Sequence, residues 1–386
     1  MINRIVLNET SYFGKGAISV IPDEVKNRQF KKAFVVTDKD LIKFNVAQKV
    51  TKILEDTGIP YEIYDNVKPN PTTENVLTGV KAYAASGADF LLAIGGGSSM
   101  DTAKGIGIIT NNPEFSDVVS LEGVAATKNK SVPIIAVPTT AGTAAEVTIN
   151  YVITDEKAIK KMVCVDPKDI PVLAIIDPEM MASMPKGLTA ATGMDALTHA
   201  IEGYITKGAW VLTDTFELKA IELIAKNLEK AVFEPTNMKA RENMGVAEYM
   251  AGMGFSNVGL GIVHSMAHSL GAVYDTPHGV ANALLLPYVM EYNAPATGEK
   301  YREVARQMGV ENVDSMSTDE FRKAAVDAVV ALSKKIGIPQ KLSEIGAKEG
   351  DLEKLSKIAF NDVCTPGNPR DTSVEEIFAI YKKAFK

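Results

Sequence analysis

The sequence predicts two domains. The first is an α/β domain, Rossmann-like in its alternation, with a mostly parallel sheet over residues 1–182. The second is an all-helical domain over residues 183–386. Three observations predict this. The 386 residues suffice for two cores. Up to about residue 182, short apolar runs alternate with amphipathic stretches, the pattern of βαβ units. Beyond it, apolar residues recur only at helical spacing.

In chain order, "KAFVVTD" (32–38) reads as a strand, followed by helix-like "KDLIKFNVAQKVTKILEDTG". "YEIYDNV" (61–67) is the next strand, and the turn "PNPTTENV" opens a helix. "DFLLAIGGGS" (89–98) is a buried strand running into glycines and then helix-like "SMDTAKGIGIIT". "VPIIAVPTT" (132–140) is a fourth strand. "EVTINYVITDE" and "KKMVCVDP" alternate in polarity across a polar turn, which predicts a hairpin, and "PVLAIIDP" (171–178) is the last strong strand. After "PEMMASMPKG" every remaining segment reads as helix.

The net charge of −7 is interspersed, and no basic block suggests nucleic acid or an anionic membrane as partner. The start turns polar too soon for a signal peptide, and no apolar run reaches the length of a membrane span, so a cytoplasmic protein is expected. Two cysteines cannot form a disulfide framework. Cys164 and Cys364 read as packing residues.

"AIGGGSSMDTAKG" sits where a strand meets a helix. Glycines allow a tight turn and close approach of a ligand, and the free N–H groups of a helix start suit a phosphate. Ser98 and Ser99 are positioned to cap that helix. Asp38 ends the first strand, where an acid can bond a ribose hydroxyl and repel a 2′-phosphate, which favours NAD over NADP; it can equally be a helix cap. Thr139 and Thr140 supply a second strand-to-loop turn.

All four histidines lie between positions 199 and 278, three of them within nineteen residues. Asp195 and His199 are four apart in a helical stretch, as are His264 and His268 in another. Thr276-Pro277 reads as an N-cap and first helical residue, placing His278 in the first turn of a third helix. Three helices can aim one carboxylate and up to three imidazoles at one point. That set, without a thiolate, suits Fe(II) or a related divalent ion. Spacing leaves open whether His264, His268 or both bind it.

"GIVHSMAHSLGAVYDTPHG", "AIGGGSSMDTAK" and "VPTTAGTAAEVT" resemble motifs of the iron-containing (type III) alcohol dehydrogenases. The likeness extends through "VLNETSYFGKGA", "CVDPKDIP", "HAIEGYITKGAW", "GMGFSNVGLG" and "DVCTPGNPR". It implies metal held by Asp195, His199, His264 and His278, with His268 a neighbouring proton carrier. It implies Asp38 at the adenosine ribose, and Asn70, Gly96, Gly97, Ser98, Asp101, Thr139, Thr140 and Lys161 along NAD. Phe255 would wall the substrate pocket. The implied metal is Fe(II), with zinc as an alternative, and the implied assembly a homodimer. The implied reaction is reversible, NADH-linked reduction of a small aldehyde: lactaldehyde to 1,2-propanediol first, with 1,3-propanediol, butanol or ethanol as alternatives. A non-catalytic nucleotide- and metal-binding protein is the reading from another class. Ser265 and Ser269 depart from the glycine and proline of the family pattern, and Tyr288 from a histidine.

Overall fold

The computed structural model describes residues 2–158 and 160–386. The chain divides into two compact units, Met1–Thr140 with Ala144–Met184, and Ala141–Thr143 with Pro185–Lys386. Residues 141–143 go to the second unit.

The first unit runs β1 (Thr10–Phe13), α1 (Ile21–Asn27), β2 (Ala33–Val36), α2 (Lys39–Lys43), α3 (Gln48–Asp56), β3 (Tyr61–Tyr64) and α4 (Thr73–Ser86). It continues with β4 (Phe90–Gly95), α5 (Gly97–Asn111), β5 (Ile134–Pro138), β6 (Asn150–Asp155), β7 (Lys160–Val165), β8 (Leu173–Ile176) and α6 (Pro178–Met181). Six strands form one sheet in the order β1-β8-β5-β4-β2-β3, with every pair parallel. β6 and β7 form a separate antiparallel pair, as their alternating pattern predicts.

β2, β4 and β5 are apolar throughout because both sheet faces are covered. Val35, Leu92 and Ile135 pack with Val25, Val50 and Leu54 of α1 and α3. Their neighbours Phe34, Leu91 and Ile134 pack on the opposite side with Met100, Ala103 and Ile106 of α5. Strand order reverses direction between β2 and β4, and the carboxyl ends at such a reversal leave a crevice for a ligand.

Two sequence expectations change. The stretch 39–58 is two helices: Asn45 takes a left-handed conformation (φ 58°) that breaks the helix between them. β1 was not expected. "TSYF" lacks an apolar run because β1 is a half-buried edge strand, defined by its backbone pairing with β8.

The second unit runs α7 (Lys186–Ile205), α8 (Val211–Phe233), α9 (Met238–Val258), α10 (Ile262–Tyr274) and α11 (His278–Asn293). It ends with α12 (Lys300–Gln307), α13 (Thr318–Lys335), α14 (Leu352–Phe360) and α15 (Val374–Phe385). It has no strand among the described residues. No helix there or elsewhere among them is long and apolar enough to cross a membrane. α7 is buried from Thr189 to Ile205 save for Thr192, and α10 from Ile262 to Gly271, so their polar side chains must find partners inside the protein.

Candidate functional site

In the helical unit, the four-residue spacing on α7 carries Asp195 and His199 to one face, where α10 brings His264 and the start of α11 brings His278. One carboxylate oxygen and three imidazole nitrogens come together, all within 4.8 Å of one another. Pro277, not Thr276, is the N-cap of α11, so His278 is its first residue.

Each ring is oriented. His199 Nδ1 lies 3.1 Å from the carbonyl of Gly142, one of the three residues 141–143 that belong to this unit. Its face stacks on Phe255, with centroids 4.2 Å apart. His264 Nδ1 lies 2.6 Å from Glu202 Oε2. Both acceptors place the proton on Nδ1 and leave Nε2 with a lone pair. Burial, and then neighbouring imidazoles, hold both histidines well below the ordinary histidine range. They are therefore neutral, the form that binds a cation.

Asn282, one turn along α11 from His278, tests whether a cation suits this cluster. Its Nδ2 is 2.7 Å from Asp195 Oδ1, 3.1 Å from His264 Nε2 and 3.0 Å from His278 Nε2. Three acceptors thus face one donor, while Asn282 Oδ1 is buried with no partner among the described residues. An acceptor-rich, water-poor point of this kind fits a divalent metal.

His268, one turn from His264 on α10, joins a different group. Its Nδ1 is 2.9 Å from Asp362 Oδ2, and Cys364 lies beside the pair. Burial alone would raise the Asp362 carboxyl. The charge and hydrogen bond of His268, with the Cys364 N–H, instead bring it down to about 2. His268 is thereby oriented with Nε2 directed away from its carboxylate partner.

Ser265 and Ser269 are both fully buried on α10. Ser265 Oγ accepts from the Thr365 hydroxyl at 2.8 Å, and Ser269 Oγ is 2.6 Å from the Tyr381 hydroxyl. They tie α10 to the C-terminal segments. Tyr288 donates to the Gln340 carbonyl at 2.7 Å and stands outside the metal cluster.

In the sheet unit, Gly96, Gly97, Ser98, Thr139 and Thr140 follow the carboxyl ends of β4 and β5. Thr139 N donates to Gly95 O at 2.9 Å. A side chain on Gly96 would press against Thr140 at 3.2 Å, and one on Gly95 (φ +156°) would strike Ser99 Oγ. This glycine cradle leads into α5, whose N-cap Gly96 has no side chain to satisfy the first N–H groups. Ser98 and Ser99 do not cap it, because α5 starts ahead of them at Gly97; Ser99 Oγ and Thr37 Oγ1 are buried without a partner among the described residues. An uncapped helix start with spare hydroxyls fits a dinucleotide. Asp38, past β2, caps α2 by accepting from Leu41 N at 2.9 Å. Asn70 Oδ1 accepts from Lys161 Nζ at 2.7 Å, which brings those two together. Asp101 accepts from Val152 N at 3.0 Å. Burial pushes its carboxyl up to about 7 against the pull of Lys104, that N–H and Lys161.

Sequence reasoning missed Glu202, Asn282 and Asp362. Glu202 lay in plain view: with Asp195 and His199 it continues a stripe at i, i+4 and i+7. Asn282 stands four residues from His278. Asp362 carries no local signal, since ninety-four residues separate it from His268.

The family model described as iron-containing alcohol dehydrogenase matches residues 8–178, and that of the Fe-containing alcohol dehydrogenase family, C-terminal, matches residues 189–385. The chain is 58% identical over 385 residues to lactaldehyde reductase of Escherichia coli (strain K12), covering 100% of both. A crystal structure of 1,3-propanediol oxidoreductase superposes with a TM-score of 0.96 at 43% identity, again covering 100% of both chains. Sulfoacetaldehyde reductase from Bifidobacterium kashiwanohense, solved in complex with NAD+, superposes with a TM-score of 0.89 at 31% identity, over 100% of this chain and 99% of that one. With its histidine cluster, its glycine cradle and two family matches that span nearly its whole length, the chain belongs to the iron-containing alcohol dehydrogenase family.

Proposed function

We propose that this alcohol dehydrogenase reduces lactaldehyde to 1,2-propanediol with NADH, reversibly, at an Fe(II) ion held by Asp195, His199, His264 and His278, with zinc as an alternative occupant. The observation that carries the reading is the convergence of that carboxylate and three imidazoles, two of them locked with Nε2 unprotonated. The full-length identity to lactaldehyde reductase supports the choice of aldehyde. When bound, the metal supplies Lewis acidity and the nicotinamide supplies the hydride.

The protein supplies the rest. Asp195 contributes the single negative charge of the metal set, and the buried surroundings keep water from competing. Phe255, stacked on His199, gives an apolar wall that excludes water from the ring. His268 carries the alcohol proton: Asp362 holds its Nδ1–H and leaves Nε2 to accept or donate. On the sheet unit, the cradle at Gly96, Gly97 and Ser98 takes the pyrophosphate, with Thr139 and Thr140 alongside. Asn70, Asp101 and Lys161 extend that surface, and the second oxygen of Asp38 faces the ribose. The enzyme works as a homodimer, which light scattering on the purified protein tests.

NADH oxidation, measured on anaerobically Fe(II)-loaded protein with lactaldehyde, 3-hydroxypropanal, butanal and ethanal, tests the substrate. The highest kcat/KM belongs to lactaldehyde; a preference for 3-hydroxypropanal would instead make the enzyme a 1,3-propanediol dehydrogenase. Asp38→Gly should let NADPH compete with NADH, and unchanged NADPH kinetics would remove Asp38 from the ribose.

A further inference from the structure

Three acidic or imidazole side chains share one face of α7, but only Asp195 and His199 reach the metal cluster. The third, Glu202, is as deeply buried as they are. Its Oε1 accepts from Val263 N at 2.8 Å. Its Oε2 accepts from His264 N at 3.4 Å and from His264 Nδ1 at 2.6 Å. α10 has no cap of its own, because its N-cap residue is Gly261. A side chain on Gly261 would come within 2.8 Å of Glu202 Oε1, so glycine there makes room for the carboxylate. Glu202 thus does from α7 what an N-cap residue does locally, and with the same group grips the imidazole that α10 carries.

We propose that Glu202 is the positioning residue of the metal centre: it fixes His264 as the Nδ1–H tautomer, with the Nε2 lone pair aimed at the ion. The inference rests on the ligand set proposed above. The charge inventory around Glu202 requires an acceptor. Every polar group the structure directs at it is an N–H: the backbone amides of Gly261, Val263 and His264, and one ring nitrogen. A carboxylate meets all of them. An amide in its place keeps the Val263 N–H with its oxygen but turns an NH2 toward Nδ1, which must then accept and send its proton to Nε2. The metal would face an N–H instead of a lone pair. Outer partners of ligand histidines commonly govern affinity by about 10–100-fold.

Glu202→Gln separates positioning from packing because it conserves volume and the backbone contact. On protein stripped of metal, long-range 1H–15N NMR of the histidine rings reads the tautomer directly. Wild type should show His264 protonated at Nδ1, and Glu202→Gln should show it at Nε2. Titration with Co(II), followed by its visible absorption, should show affinity about 10–100-fold weaker in Glu202→Gln. In a His264→Ala background the same change should have no further effect on affinity. Wild-type affinity in Glu202→Gln, or an Nε2–H tautomer in stripped wild type, would overturn the proposal; the second reading stands even if the variant fails to fold. Failure of wild type itself to bind Co(II) would instead overturn the ligand set, whatever the tautomer.

Discussion

At the scale of single residues, three of the histidines are distinguished by what holds Nδ1. His199 gives it to the Gly142 carbonyl, His264 to Glu202 and His268 to Asp362. His268→Ala should therefore keep full metal stoichiometry and lower kcat by about 10²–10⁴-fold, the usual reach of a proton-transfer group. Asp362→Asn should lower kcat less and alter the pH profile. Metal analysis alongside steady-state kinetics checks both, and metal loss in His268→Ala would return that residue to the ligand set. Asp101 makes a prediction about pH. Its folded value of about 7 lies above the ordinary aspartate value of 3.8, so between those two the native state holds a proton that the unfolded chain has lost. Its contribution to stability therefore falls as pH rises through that window. Asp101→Asn cannot titrate. Its Tm relative to wild type should climb between about pH 4 and about pH 7 and level off above, and a constant difference across that range would refute the assignment.

At the scale of elements, the helices of the metal cluster are set by close backbone approach. A Cβ on Gly279, the second residue of α11, would lie 2.8 Å from Ala191 O and 3.0 Å from its carbonyl carbon on α7. Main chain cannot swing aside as a side chain can. Gly279→Ala should therefore push α11 off α7, cost about 1–3 kcal/mol in denaturant unfolding, and weaken metal binding by moving the adjacent His278. The elements themselves were largely legible. β2, β4 and β5 are buried on both faces, so their apolar runs stand out, and α7 shows Asp195 and His199 at helical spacing. What escaped was decided outside the local pattern. β1 owes its conformation to β8, and the break between α2 and α3 turns on one left-handed asparagine. Glu202 was visible in the i, i+4, i+7 stripe, but its role depends on where α10 begins, which no spacing on α7 reveals.

At the scale of the whole molecule, each proposed ligand addresses one compact unit. Hydrogen exchange on stripped protein should show protection gained in α7, α10 and α11 on adding metal. Adding NADH should protect residues 95–101 and 139–140. Stripping metal with a chelator should lower Tm, by an amount that grows with the logarithm of metal concentration over Kd. A metal effect confined to the sheet unit would contradict the ligand set. The short excursion at 141–143 bears on how such a molecule could be taken apart. Gly142 lies 43 residues upstream of the point where the helical unit resumes at Pro185, yet its carbonyl meets His199. A gene fragment starting at Pro185 would encode all four proposed metal ligands and still lack that carbonyl, leaving one ring without the partner of its Nδ1. The helical half is thus no detachable cassette, and a working graft onto another protein would have to carry the 141–143 loop with it.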